Sequence, residues 1–344
     1  MKATTFLYVG NSDSQDITVL SLDPASGALA QIANVAVPGP EKPGGSLPLA
    51  VSPDNAFLFA GLRSEPFSVA TFAIDPKNGA LIYVGSGPLE GSMAYISVDR
   101  TGKFLLAASY PANKVTVSPI GTNGVVGATQ QTVPTEPSAH AIIVDSANNY
   151  VFHTSLGGDR VYQQTFDAKN GRLTPNEPPW IGTNAKAGPR HLAISPDNRF
   201  VYVITELDAT IYVFPYDASK GTMRKHAQVI SAMPNGSGAK PWGAEIRVTP
   251  DGKYLYASER TTSTLSAFGI DPVRGTLTPI GSFPTETQPR AFAIDPTGRF
   301  LFVVGELSHR LTTYAIDPKS GQLAKLNDLP AGKKPNWVEI VTLR

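Results

Sequence analysis

One pattern recurs along the whole chain and leaves few folds open to it. A turn following an alternating strand appears as SPDNAF at Ser52, DRTGKF at Asp99, DSANNY at Asp145, SPDNRF at Ser195, TPDGKY at Thr249 and DPTGRF at Asp295, at offsets of 47, 46, 50, 54 and 46 residues. A second element, Asp-x-x-x-Gly followed by an apolar residue, occurs at Asp23, Asp75, Asp167, Asp217, Asp271 and Asp317. Its 92-residue gap hides one eroded copy near Ser118. The two elements interleave at nearly constant phase. Period-2 strands such as FVYVIT and TIYVFPYD lie between them. No 3.6-residue periodicity is sustained, so helical solenoids are excluded.

Each unit reads as strand A, turn, strand B, loop, strand C, hairpin, strand D. Four antiparallel strands in about 40–50 residues make a propeller blade. Six turns of the first type mark blades two to seven. The N-terminus supplies only strands B, C and D of another blade, in TTFLYVG, ITVLSLD and GALAQIA, and its strand A comes from PNWVEIVTL at Pro335–Leu343. The chain is therefore expected to be all-β: a single seven-bladed β-propeller domain over 1–344, closed by its last strand so that no sheet edge is left bare. The period stretches twice, at PGPEKPGGSLP before blade two and SAMPNGSGAKPW before blade six.

Composition narrows the function. Gly and Pro number 31 and 30, as a turn-rich all-β chain requires. The net charge of +1, with no Lys/Arg run, argues against nucleic acid or a membrane surface as partner. The absence of Cys excludes disulfides, thiol nucleophiles and Cys-ligated zinc. No Gly-x-Ser-x-Gly elbow and no secretory leader are evident, and a cytoplasmic monomer or weak homodimer is expected.

Strand A of a blade lines the central channel and runs antiparallel to B. The start of A and the end of B therefore emerge on one face, where a pocket can form. The A-strand starts carry His140, Arg190, His191, Trp242, Glu245, Arg290 and Trp337. The B-strand ends and following loops carry Arg63, Tyr110, Asp159, Arg160, Glu206, Glu259, Arg260, Glu306 and His309. His153 and His226 fall off this face. The arginines and glutamates can also be read as a structural ion-pair belt, and Trp242 and Trp337 as packing residues.

Three of these segments carry a resemblance. PTETQPRAFAID from Pro284, AGPRHLAISPDNRFVYVITEL from Ala187 and WGAEIRVTPDGKYLYASERT from Trp242 resemble the propeller-type 6-phosphogluconolactonases, which share their scaffold with the fungal carboxymuconate lactonizing enzymes. The resemblance implies hydrolysis of 6-phospho-D-glucono-1,5-lactone in the oxidative pentose phosphate pathway. It implies His140, Arg190, Glu206 and Arg290 as catalytic residues. Around them, His191, Trp242, Glu245, Arg260, Glu306, His309 and Trp337 are expected to bind substrate. The blade-two insertion, the eroded hairpin of blade three, and Lys240 ahead of Pro241-Trp242 depart from the family pattern.

Opening a lactone needs an activated water, a stabilised oxyanion and a proton for the ring oxygen. Glu206 or His140 is the expected base, with His191 in reserve. Arg190 and Arg290 suit a phosphate or the oxyanion. The expected ligand is a small anionic sugar lactone, with no metal and no cofactor. Alternatives are another lactonase or a carboxymuconate-type cycloisomerase on the same site, or a non-enzymatic interaction platform.

Overall fold

The computed structural model describes residues 3–42 and 44–343, and every regular element in them is a β-strand. Seven antiparallel sheets form the blades. In blade one the C-terminal strand Pro335–Leu343 pairs with Thr4–Asn11, in register from Thr4↔Leu343 to Gly10↔Trp337. This is the closure that the missing first strand requires. Burial follows radial position. Strand B of blade five, Phe200–Thr205, is buried at all six residues because neighbouring blades cover both its faces. The outer strand D of blade one, Leu29–Ala36, has no fully buried residue and is mostly exposed.

The two repeated motifs are halves of one contact. The Asp-x-x-x-Gly glycine lies in the left-handed region, and the aromatic that ends the other motif, in the preceding blade, sits against it. A Cβ on Gly221 (φ +67°) would lie 2.0 Å from the Tyr150 ring, and one on Gly79 (φ +69°) 2.5 Å from Phe6. The contact recurs round all seven blades, crossing the closure as Gly27 on Phe300. Even the eroded copy keeps its glycine, Gly124, on Phe57. Gly221→Ala should therefore lower stability by about 2–5 kcal/mol, combining left-handed strain with overpacking. Urea denaturation would read this. A loss below about 1 kcal/mol would mean that the ring simply moves aside.

Two blades depart from the simple pattern. In blade five strand D is split into Thr222–Met223 and Gln228–Ser231, both pairing with Thr210–Asp217. The residues between them bring His226 edge-on to Tyr212 and Phe214, with ring centroids 5.3 and 6.1 Å away. In blade three strand D shortens to Gln131–Pro134.

Candidate active site

The start of strand A holds a local irregularity that builds the site. In blade five Pro189 pairs with Thr205 but His191 pairs with Ile204, so Arg190 is the extra residue of a β-bulge. Blade seven has the same shift at Arg290, and in blade four it spans His140 and Ala141. A bulge re-aims side chains. Here it lets the successive residues Arg190 and His191 both turn toward the channel, which strict alternation would forbid.

The bulge residues form an upper tier. Arg190, 1% exposed, donates from Nε to Glu206 Oε2 (3.0 Å) and from Nη1 to the carbonyl of Ala244 (2.6 Å). Arg260, at the end of strand B in blade six, reaches the same Glu206 oxygen at 3.0 Å and lies 3.9 Å over the Trp242 ring. Arg290 pairs with Glu306 at 3.2 Å. Arg63 joins them from blade two, donating to Ser92 Oγ (3.0 Å) and Ser46 Oγ (2.7 Å) and pairing with no carboxylate among the described residues. Ser46 belongs to the blade-two insertion, whose Gly45 carbonyl also accepts from Arg290 at 3.5 Å.

Burial and mutual repulsion act on this cluster. Burial, then Arg290 and Arg190, lower the Arg63 pKa to about 10. Burial, then Arg190, lower that of Arg260 to about 9 against the pull of Glu206. Burial pushes the Glu206 carboxyl up, but Arg190 and Arg260 outweigh it and hold the group below its ordinary value. An ionised Glu206 shared by two guanidiniums is a poor proton acceptor. Its geometry suits holding the arginines rather than the role of base expected for it.

Below lies a tier of rings. His140 is buried, its Nδ1 has no protein partner, and its ring lies 5.1 Å from His191 and 5.9 Å from Tyr110. Burial, then Arg190, His191, Arg290 and Arg63, drive its pKa well below the ordinary value, so it is neutral at pH 7. His191 bonds through Nδ1 to Glu245 Oε1 at 3.0 Å. Burial lowers its pKa to about 4 despite that carboxylate. Burial raises Glu245, but Arg247 and His191 bring it down to about 2. A neutral imidazole beside an ionised carboxylate must carry its proton on Nδ1, which leaves Nε2 as the basic atom, and that atom is buried without a partner.

The expected residues separate by depth. Arg190, Glu206, Arg260, Arg290 and Glu306 meet at the mouth, with Trp242 under Arg260; His140 lies beneath them with His191 and Glu245. Trp337 is buried, donating from Nε1 to Glu339 (2.9 Å) and packing 5.1 Å from Tyr95. His309 stands apart: it is exposed, and its Nδ1 accepts from the Lys334 backbone at 3.0 Å. Asp159 braces the approach to Arg190, accepting from Lys186 N (2.6 Å) and Gly188 N (2.9 Å). His153, off this face as expected, stacks on Tyr162 at 4.6 Å. Among the described residues no three His, Asp or Glu are grouped to hold a metal ion, and no helix is long and apolar enough to cross a membrane.

Residues 6–340 match the family described as lactonase, seven-bladed β-propeller. The chain belongs to that lactonase family. It is 38% identical over 289 residues to a 6-phosphogluconolactonase of Pectobacterium carotovorum, covering 84% of each chain. It is 37% identical over 289 residues to that of Serratia proteamaculans, again over 84% of each. A periplasmic gluconolactonase of Pseudomonas aeruginosa superposes over the whole of both chains with a TM-score of 0.89 at 25% identity. This lactonase is therefore an enzyme of the ester-hydrolysing class. The arginine-rich mouth and the two unpartnered imidazole nitrogens are its candidate machinery.

Proposed function

We propose that this lactonase hydrolyses 6-phospho-D-glucono-1,5-lactone to 6-phosphogluconate, in the oxidative pentose phosphate pathway and in the cytoplasm. The observation that carries the reading is the excess of guanidinium over carboxylate at the mouth. Arg190 and Arg260 share one glutamate and Arg63 has none. A bound phosphate dianion relieves their repulsion and accepts charge-assisted bonds from them.

Binding also prepares the base. Arginines are among the groups that depress His140, so a dianion beside them raises its basicity as the substrate arrives. His140 Nδ1 then takes a proton from water as the water oxygen attacks the lactone carbonyl. An arginine, Arg190 or Arg290, stabilises the oxyanion. When the tetrahedral intermediate collapses, the imidazolium returns the proton to the ring oxygen, and the C–O bond breaks to give the hydroxy acid. His191, oriented by Glu245, lies next to His140 and assists this proton transfer. Each step is performed by side chains alone.

The likeness to a gluconolactonase favours one rival, the unphosphorylated lactone. Initial rates on the two lactones separate them. The phosphorylated substrate should have the higher kcat/KM. Arg63→Gln should lower that value by about 10–100-fold, the loss of one charge-assisted contact, while leaving glucono-1,5-lactone nearly unaffected. Equal losses on both substrates would remove the phosphate assignment.

A further inference from the structure

The channel has a second mouth, on the face of the A–B turns, and a different chemistry. Tyr95 meets His191 and Trp337 edge to face, the latter two lie tilted to each other, and the three, with centroids 5.1–6.2 Å apart, separate the two ends. Beneath them a cavity of about 450 Å³ is lined by Tyr95, Ser97, Arg100, Ala193, Ser195 and Arg247, among others, and no carboxylate lines it. Its width comes from small residues, since Ser97 and Ala193 occupy the channel-facing position that Arg247 holds in blade six. Arg100 is tied to the carbonyls of Asp145 (3.2 Å) and Val144 (3.4 Å). Arg247 is held less fully. Its Nη2 reaches Glu245 Oε2 at 3.4 Å, while its Nε is buried and bonds to no described protein group. The Tyr95 hydroxyl likewise makes no bond to a described group, whereas Ser97 and Ser195 hydroxyls are engaged nearby.

Glu245 and Glu339 act on Arg247 from outside this cavity. A permanently charged guanidinium, 34% exposed and lining a cavity free of carboxylates, is suited to receive an oxyanion. The Tyr95 hydroxyl, the unengaged one of the three, adds a partner for a hydroxylated one. We propose that this mouth is a second ligand site, for a small hydroxylated carboxylate of the sugar-acid class, with Arg247 as its anchor. The site is linked to the first. Glu245 holds Arg247 with one oxygen and His191 with the other, so a ligand that draws Arg247 toward the cavity frees Glu245 to bind His191 more strongly. The groups facing His191 are Glu245, Arg190, Arg247, His140 and Tyr95, and of these Arg247 and Tyr95 line the second mouth.

The test uses the full chain and needs no turnover. In arginine-labelled protein the Nε–H resonance of Arg247, identified by its loss in Arg247→Lys, is followed while gluconate is added, with sorbitol as the uncharged control. Gluconate should shift it saturably and sorbitol should not. Ala193→Leu, which fills the cavity and leaves the guanidinium in place, should weaken the response at least tenfold. A resonance that gluconate does not move overturns the proposal, as does one that moves equally in Ala193→Leu or with sorbitol. Lactone hydrolysis could fail at the first mouth and this result would stand.

Discussion

Arg190→Gln should lower kcat/KM for lactone hydrolysis by about 10³-fold, the scale of losing a preorganised charged donor at a reacting oxygen. Arg190 is fully buried and its bonds to Glu206 and Ala244 fix the guanidinium beneath the mouth. The same bonds mean that the substitution also disturbs the fold. Breaking a buried pair from one side costs about 3–5 kcal/mol, because Glu206 keeps only Arg260. Stability and catalysis must therefore be read separately. Arg190→Lys retains the charge but cannot reach Glu206 and the Ala244 carbonyl in the same planar geometry. It should recover much of the lost stability while kcat/KM stays about 10²-fold low. Glu206→Gln joined to Arg190→Gln should be less destabilising than the sum of the two, since each removes the same pair. A folded Arg190→Lys protein with near-normal turnover would show that only charge is needed there, and the oxyanion assignment would pass to Arg290.

The repeat made the ring and the shared mouth legible, because strand direction in each blade follows from motif order. That alone brings together His140, Arg190, Glu206 and Arg290, which are spread over 150 residues of sequence. What lay beyond it was local. Alternation along a strand puts Arg190 and His191 on opposite sides, and only the bulge reveals that both face the channel. The His191–Glu245 bond depends on that extra residue. Arg63 fell on the right face by the same strand rule, but its role came from an irregular insertion, where Ser46 receives its Nη1, and no periodicity describes such a loop. His309 takes the left-handed turn position that recurs in other blades, and its ring bonds to Lys334, a contact no spacing announces. Glu206 was found, yet its spacing could not tell that two arginines already occupy it.

The protein should lose stability steeply between about pH 6.5 and 4, well before its carboxylates are neutralised. Three histidines are buried and neutral: His140 lies well below its ordinary pKa, His191 falls to about 4 and His153 to about 3, with burial the leading cause in each. In the unfolded chain each protonates near pH 6.5. The unfolded state therefore binds more protons than the folded state across this window, and stability rises with pH there and falls on acidification. At full separation three protons give a slope of about 4 kcal/mol per pH unit, so two units remove at most about 8 kcal/mol, a large part of an ordinary domain stability of about 5–15 kcal/mol. The urea midpoint should be flat from pH 7 to 8, decline below 6.5, and be strongly reduced by 4.5. His153→Gln tests the cause without touching either mouth, since His153 is enclosed with Tyr162 and Gln164 in blade four. It should reduce the slope by about one third and leave turnover at pH 7.5 unchanged. A midpoint that stays constant down to pH 4.5 would mean that these imidazoles reach solvent and protonate in place, and the neutral bases drawn at the mouth would go with them.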